Sequence, residues 1–239
     1  MAEKPIKLFS THADRYPERD DLDVALGAVR AALAAIPYVG GSITELLSMV
    51  LAPPVMRRRD EWLMELADGL DRLKATVEGF KIENLADNEP FVSAVIQATR
   101  IAIGTHEQEK RAMLRNALLN IAAGKGPQEE LQQIYLDAID AFTLSHVKVL
   151  KLLWTGLNDL IRAGLWDTLH PYAISDYATA IGHLHPDLKG QDGLMQYVMT
   201  DLMNRGFSSV SRPTDTFSPS PRVTNMGIEF LRFVLEPPK

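Results

Sequence analysis

Residues 24–56 read VALGAVRAALAAIPYVGGSITELLSMVLAPPVM and decide the fold of this chain. Arg30 and Glu45 are the two formal charges in this stretch. Pro37 disfavours the helical conformation of the residue before it, and the glycines at 40 and 41 permit a tight reversal. The pattern therefore predicts two apolar helices joined by a turn, here named the apolar hairpin (residues 24–56), which must be covered by protein or enter a membrane.

The length of the first helix favours the covered form. A helix over residues 21–36 is about 24 Å long at about 1.5 Å per residue, short of the ~30 Å hydrocarbon layer of a bilayer. We therefore expect the hairpin to lie inside a helical bundle, with membrane entry as the alternative that the sequence leaves open.

The flanking residues predict an all-α helical bundle over residues 21–165, preceded by a mobile N-terminal lead-in over residues 1–20. The second hairpin helix is expected to end before Pro53-Pro54, where a third begins. Apolar residues at helical spacing mark the inner face of this third helix: Trp62, Leu63, Leu66, Leu70, Leu73 and Val77. Four further helices are predicted over 90–104, 106–123, 128–142 and 144–163, with inner faces that include Ile96 and Ile161.

The C-terminal part changes character and predicts a small winged-helix-like unit over residues 172–239. Two short helices, 176–184 and 193–205, are followed by β-permissive segments at 207–210 and 222–224, which would pair as a short β-hairpin. The intervening residues 211–221 are rich in Ser, Pro and Thr and predict a loop, and a helix over 227–235 closes the unit. We place the domain boundary between residues 165 and 174.

Composition narrows the functional classes. The net charge of −6 argues against general nucleic-acid binding, because cations are needed to displace counterions from phosphates. The chain has no cysteine, which removes disulfides and thiolate chemistry. The N-terminal residues lack an apolar run typical of a secretion signal, so we expect a cytoplasmic protein, with the periphery of the inner membrane as an alternative site.

Catalytic and metal-binding patterns are not found in the sequence. The spacing of His183 and His185 does not suit a helical metal site, and His106 and His146 are expected at or near the surface in first turns of helices. The chain has no Glu-x-x-His, no nucleophile elbow and no phosphate-binding glycine loop. We therefore expect no enzyme activity, no catalytic residues, no metal and no cofactor.

Two groups of arginines remain as candidate contacts. Arg57, Arg58 and Arg59 follow the apolar hairpin directly, where cations could meet lipid phosphates or a partner protein. In the tail, candidate contacts to DNA phosphates or bases are Arg205, Arg212 and Arg222. The helix ending at Arg205 carries few of the polar groups that read base edges, so nucleic acid is the disfavoured partner.

Four blocks together carry a resemblance to a known group: AIPYVGG (35–41), RRRDEW (57–62), EKR (109–111) with LRNA (114–117), and VTNMGIEFL (223–231). They resemble a broad group of bacterial helical proteins of unassigned function and, more distantly, the abortive-infection alpha family. The resemblance implies an apolar N-terminal hairpin, a helical middle, a C-terminal winged unit and a link to phage resistance. It brings no catalytic residues with it.

We therefore expect a non-enzymatic interaction or effector protein in bacterial phage defence that acts through the apolar hairpin. Its expected partner is another protein or a second copy of itself, with a membrane contacted on activation. The alternative is a DNA-binding regulator that uses the winged-helix-like unit.

Overall fold

The computed structural model describes residues 41–166 and 174–235, with side chains from residue 52 onward. Eight α-helices have both ends in these ranges, which confirms the predicted all-α class. They are α1 (Gly41–Thr76), α2 (Glu89–Gly104), α3 (Gln108–Ala122), α4 (Glu129–Ala141), α5 (Leu144–Arg162), α6 (Tyr177–Leu184), α7 (Asp192–Asn204) and α8 (Asn225–Leu235). Two short 3-10 turns lie at Ile82–Leu85 and Pro186–Leu188. The first hairpin helix, its turn and the N-terminal lead-in fall outside the described residues.

Helix α1 passes through Pro53 and Pro54 without a break, so the predicted end at this point is wrong. The proline ring fixes φ near the helical value, and its cost is a missing N–H and a clash one turn back. This cost did not end the helix, which continues through the residues predicted to form an apolar face. Of these, Trp62, Leu66 and Leu73 are buried.

The chain divides into two compact units, Met1–Met64 and Glu65–Lys239. The predicted domain boundary at 165–174 lies within the second unit, and most of its residues are outside the described ranges, so it stays a prediction. Within the second unit, the Glu65 carboxylate of α1 lies 3.5 Å from Arg115 and 3.8 Å from Arg111, both on α3. A Cβ at Gly69 would lie 2.9 Å from Leu119, which shows how closely α1 and α3 approach.

An aromatic cluster forms the centre of the second unit. Its rings come from α4, α8 and the segments that follow α4 and α7: Tyr135, Phe142, Phe207, Phe230 and Phe233. The Phe142–Phe207 and Phe207–Phe230 pairs meet nearly edge-to-face, each with ring centroids 5.2 Å apart. Such pairs contribute roughly 0.5–1.5 kcal/mol beyond the area they bury. The tail is thus packed directly on the helical bundle.

Two isoleucines predicted on inner faces are exposed. Ile96 on α2 is 67% exposed, and Ile161 on α5 is also exposed. The side chains that α2 buries are Phe91, Ala94, Ala98, Ile101 and Ala102, and those that α5 buries include Val149, Leu150, Leu153 and Leu160. The interior side of α2 carries three alanines, which let neighbouring helices approach closely.

Helix α8 is held against α3 by two asparagine side chains. Asn116 Nδ2 donates to the carbonyl of Val234 and Asn120 Nδ2 to that of Phe233, each at 3.0 Å. Carbonyls in the last turn of a helix have no partner within the helix, so α3 supplies the missing donors.

The predicted β-hairpin is reduced to one antiparallel bridge, between Ser208 and Val223. The bridge is flanked by the bonds from Ser209 N–H to the Arg222 carbonyl, at 2.9 Å, and from Thr224 N–H to the carbonyl of residue 207, at 3.0 Å. The Arg222 N–H donates to the carbonyl of Leu153 on α5, at 2.8 Å. That bond takes a donor away from any longer ladder, and no sheet forms within the described ranges.

Candidate functional site

The arginine triplet is not a uniform cationic surface. The Arg57 side chain is 74% exposed, with its Nε 3.8 Å from Glu61. Arg59 is mostly covered, and its guanidinium donates to Asp60 at 3.1 and 3.2 Å. Arg58 is half-buried. Arg57 is therefore the most exposed member of the triplet, and its carboxylate contact is longer than that of Arg59.

Two of the three candidate arginines in the tail are already paired with a carboxylate. Arg205 Nε donates to both carboxylate oxygens of Asp201, at 2.9 and 3.0 Å, and its guanidinium carbon lies 5.7 Å from the centre of the Phe142 ring. Arg212 lies 2.9 Å from Asp215. Arg222 is exposed and lies next to Val223 of the Ser208–Val223 bridge. A DNA contact by Arg205 would have to compete with a carboxylate that holds it in place.

The expected reading helix, α7, presents apolar groups on its outer side. Leu194, Tyr197 and Met203 are exposed, and Tyr197 retains 62% of its accessible surface. Gln196, one of the few polar candidates, donates to the carbonyl of Ser211 at 3.0 Å. This composition differs from a DNA-reading face and is closer to a surface that contacts protein.

His146 is buried, although the sequence predicts it at or near the surface. It was expected near the surface but is 2% exposed, in the first turn of α5, whereas His106 is exposed as predicted. Its ring stacks on Phe142 with centroids 4.9 Å apart and planes 4° from parallel. The spacing Thr143-x-x-His146 is that of a capping box, with histidine in the place of Glu or Gln. This spacing could have predicted that the His146 side chain contacts the backbone at the start of α5.

Both nitrogens of His146 face polar groups. Nδ1 lies 3.2 Å from the backbone N–H of Thr143, which donates to it, and 2.9 Å from the Thr143 hydroxyl. Nε2 lies 3.4 Å from a carboxylate oxygen of Asp201 on α7. Burial lowers the pKa of His146, and Arg205 and Lys110 act in the same direction, whereas Asp201 opposes them. The neutral ring is therefore the form that this site holds.

A shallow groove of about 340 Å³ lies between α2 and α4. It is lined by Ser93, Ile96, Gln97, Arg100, Gln133 and Asp137. Gln97 Nε2 donates to Asp137 at 2.6 Å and Gln97 Oε1 accepts from Gln133, so polar bonds link the two helices. The groove presents one exposed isoleucine and one arginine to a ligand, which does not define a chemistry.

Over residues 41–166 and 174–235, no three His, Asp or Glu side chains are grouped so that they could hold a metal ion. None of the helices in these ranges combines the length and apolarity needed to cross a bilayer. Comparisons with protein-family models, with curated proteins and with solved structures give no match to this chain.

Proposed function

We propose that this chain is a non-enzymatic effector that acts through its apolar hairpin, in the manner of proteins of bacterial phage defence. In the resting state the hairpin is covered by protein. A trigger releases it onto the cytoplasmic face of the inner membrane, which makes the protein cytoplasmic at rest and peripheral to that membrane when active.

The observation that carries this proposal is the order of groups along α1. The last part of the apolar hairpin, residues 41–56, leads directly into Arg57 on the same helix. An apolar segment followed by a solvent-exposed guanidinium matches the two parts of a lipid surface, the acyl layer and the phosphates. The resemblance to proteins linked to phage resistance supports the biological setting.

Vesicle leakage tests the membrane step. The full chain is added to vesicles with and without anionic phosphatidylglycerol, over a range of pH and salt, and release of a trapped dye is recorded. We expect release that is stronger with the anionic lipid and is lost in Val50→Asp, because a carboxylate in the apolar stretch is costly to transfer into hydrocarbon.

Arg57→Gln should weaken binding to anionic vesicles, because each cation near such a surface contributes about 1 kcal/mol. The matched control is Arg72→Gln, an exposed arginine on the same helix within the second unit, which should bind as the wild type does. No leakage in any condition would overturn the membrane step. Light scattering that then reveals a stable self-associated species would assign the hairpin to protein contact.

Phage challenge tests the setting. Cells that express the wild-type chain should give fewer plaques than cells that express Val50→Asp at the same level. Equal plaque numbers across a broad phage panel would reject a role in defence.

A DNA-binding regulator is the second candidate. It is favoured by the order of α6, α7, the bridged segments around residues 208 and 223, and α8, which is the order of a winged-helix unit. It predicts salt-dependent binding to duplex DNA that is weakened by Arg222→Ala and, less strongly, by Arg205→Ala, because Arg205 is already paired with Asp201. No gel shift with any duplex at low salt would reject it.

A further inference from the structure

The His146 ring connects three parts of the second unit. It belongs to the first turn of α5, it stacks on Phe142 just after α4, and its Nε2 faces Asp201 on α7. The edge of the Tyr197 ring also faces it, with centroids 6.0 Å apart. A change in this one side chain therefore acts on the contacts of three helices.

The hydrogen bonds determine which nitrogen carries the proton. The backbone N–H of Thr143 can only donate, so Nδ1 must be an unprotonated acceptor. The neutral ring therefore has its hydrogen on Nε2, the atom that faces the Asp201 carboxylate. A second proton can enter only at Nδ1, where it would end the hydrogen bond from the Thr143 N–H and turn the Thr143 hydroxyl, 2.9 Å away, into an acceptor.

The surroundings oppose a positive charge on the ring. The ring sits in the first turn of α5, where the helix dipole is unfavourable to cations. The charged groups that face it are Lys110 from α3, Asp201 from α7 and Arg205 directly after α7. The one carboxylate among them is already shared with Arg205, through two bonds of 2.9 and 3.0 Å. With 2% of its surface exposed, the ring also has almost no access to water.

We propose that His146 is an acid-sensitive latch: the neutral ring holds the start of α5 against α7, and protonation at Nδ1 opens this junction. Opening removes the cap of α5 and frees the Asp201–Arg205 pair and the outer face of α7 from their fixed position. The device is independent of the function proposed above.

The sign of the pH dependence follows from linkage. The pKa of His146 is lowered in the folded protein, chiefly by burial, so the unfolded or opened chain takes up the proton first as the pH falls. The stability that the neutral ring gives is complete above the ordinary pKa of 6.5 and is lost as the pH falls from there toward the lowered value.

Local amide exchange at the start of α5 measures the latch. In the wild type, protection of the backbone amides of residues 143–147, corrected for intrinsic exchange, should fall by at most about tenfold for each pH unit below the ordinary pKa of 6.5. His146→Gln should remove this fall, because glutamine offers an acceptor to the Thr143 N–H and a donor to Asp201 but does not titrate.

His106→Gln is the matched control. It replaces an exposed histidine in the same unit by the same residue and should respond to acid as the wild type does. A local readout is needed because the pKa of the half-buried His185 is also lowered, chiefly by burial, so His185 contributes to any global response to acid. Protection that is independent of pH in the wild type, or that falls equally in His146→Gln, overturns the proposal.

Ring-nitrogen NMR of the wild type provides a second measurement that needs no variant. At neutral pH the His146 ring should show the Nε2–H form, and its titration midpoint should coincide with the loss of protection at residues 143–147. A ring with its proton on Nδ1 at neutral pH, or a midpoint above 6.5, overturns the latch even if His146→Gln does not fold.

Discussion

Replacing Gly227 by alanine should destabilise the second unit, although alanine favours helices. Within a helix, alanine is preferred over glycine by about 1 kcal/mol. At Gly227 of α8, however, an added Cβ would lie 2.3 Å from the carbonyl oxygen of Phe207 and 2.5 Å from Cγ2 of Val223. The Phe207 oxygen is backbone and accepts from the N–H and hydroxyl of Thr224, so it cannot yield as a flexible side chain would.

We estimate a cost of about 3 kcal/mol for this overpacking, at the upper end of the usual range, and a net loss of about 2 kcal/mol after the gain in helix propensity. Urea unfolding followed by circular dichroism should show a midpoint lowered by about 0.7–1 M, for a slope of roughly 2–3 kcal/mol/M. Gly193→Ala on α7 is the control, since nothing lies within 4 Å of its added Cβ, and it should leave stability unchanged or raise it. A Gly227→Ala protein as stable as the wild type would refute the reasoning.

Three further changes test other contacts by the same unfolding assay. Asn120→Ala should cost about 1–3 kcal/mol, because the buried carbonyl of Phe233 loses its donor. Asp176→Ala should cost about 1 kcal/mol, since Asp176 caps α6 by accepting from Thr179 N–H at 2.8 Å. Burial acts to raise the pKa of Asp176, but hydrogen bonds with Thr179 and Ser175 hold that pKa below 3.8. The difference in stability between the wild type and Asp176→Ala should therefore shrink as the pH falls through the lowered pKa. Burial, with a smaller effect from the Glu229 carboxylate, raises the pKa of Tyr135 to about 12. The wild type should therefore lose stability between pH 10 and about 12, and Tyr135→Phe should not show this loss.

Each expectation has a result that would contradict it. An Asn120→Ala protein with an unchanged midpoint would mean that water replaces the side-chain donor. A cost of Asp176→Ala that persists well below the lowered pKa would locate its effect in packing rather than in the charged cap. If Tyr135→Phe and the wild type lose the same stability at alkaline pH, ionisation of the Tyr135 phenol does not contribute to alkaline unfolding.

The helices were predictable because apolar residues recur at the helical period and glycine or proline marks most of their ends. The bounds of α2, α4, α5 and α7 agree with prediction to within one or two residues at each end. Which face is buried was less predictable on α2, because its apolar residues surround much of the helix. Packing against neighbours then decides, and it favoured the small Ala94 and Ala98 over Ile96.

The features that the sequence did not predict depend on contacts distant in the chain. The proposed strand around residue 223 had the right composition, but the Arg222 N–H bonds to α5 instead of extending a ladder. His146 has a local capping pattern, yet its burial depends on Asp201 and Tyr197 of α7. The arginine candidates were found by their position in the sequence, and their carboxylate partners became visible only in three dimensions.

The bonds from Asn116 and Asn120 to the end of α8 can form only late in synthesis. The chain emerges N-terminus first at about 5–20 residues per second, so roughly 5–20 s pass between the synthesis of α3 and that of α8. Throughout that interval the face of α3 that α8 will cover has no native partner, and nascent chains stalled before residue 225 should bind a chaperone that chains extended past α8 no longer bind. The speed of translation, and not only the sequence, thus sets how long this protein is vulnerable to aggregation at birth.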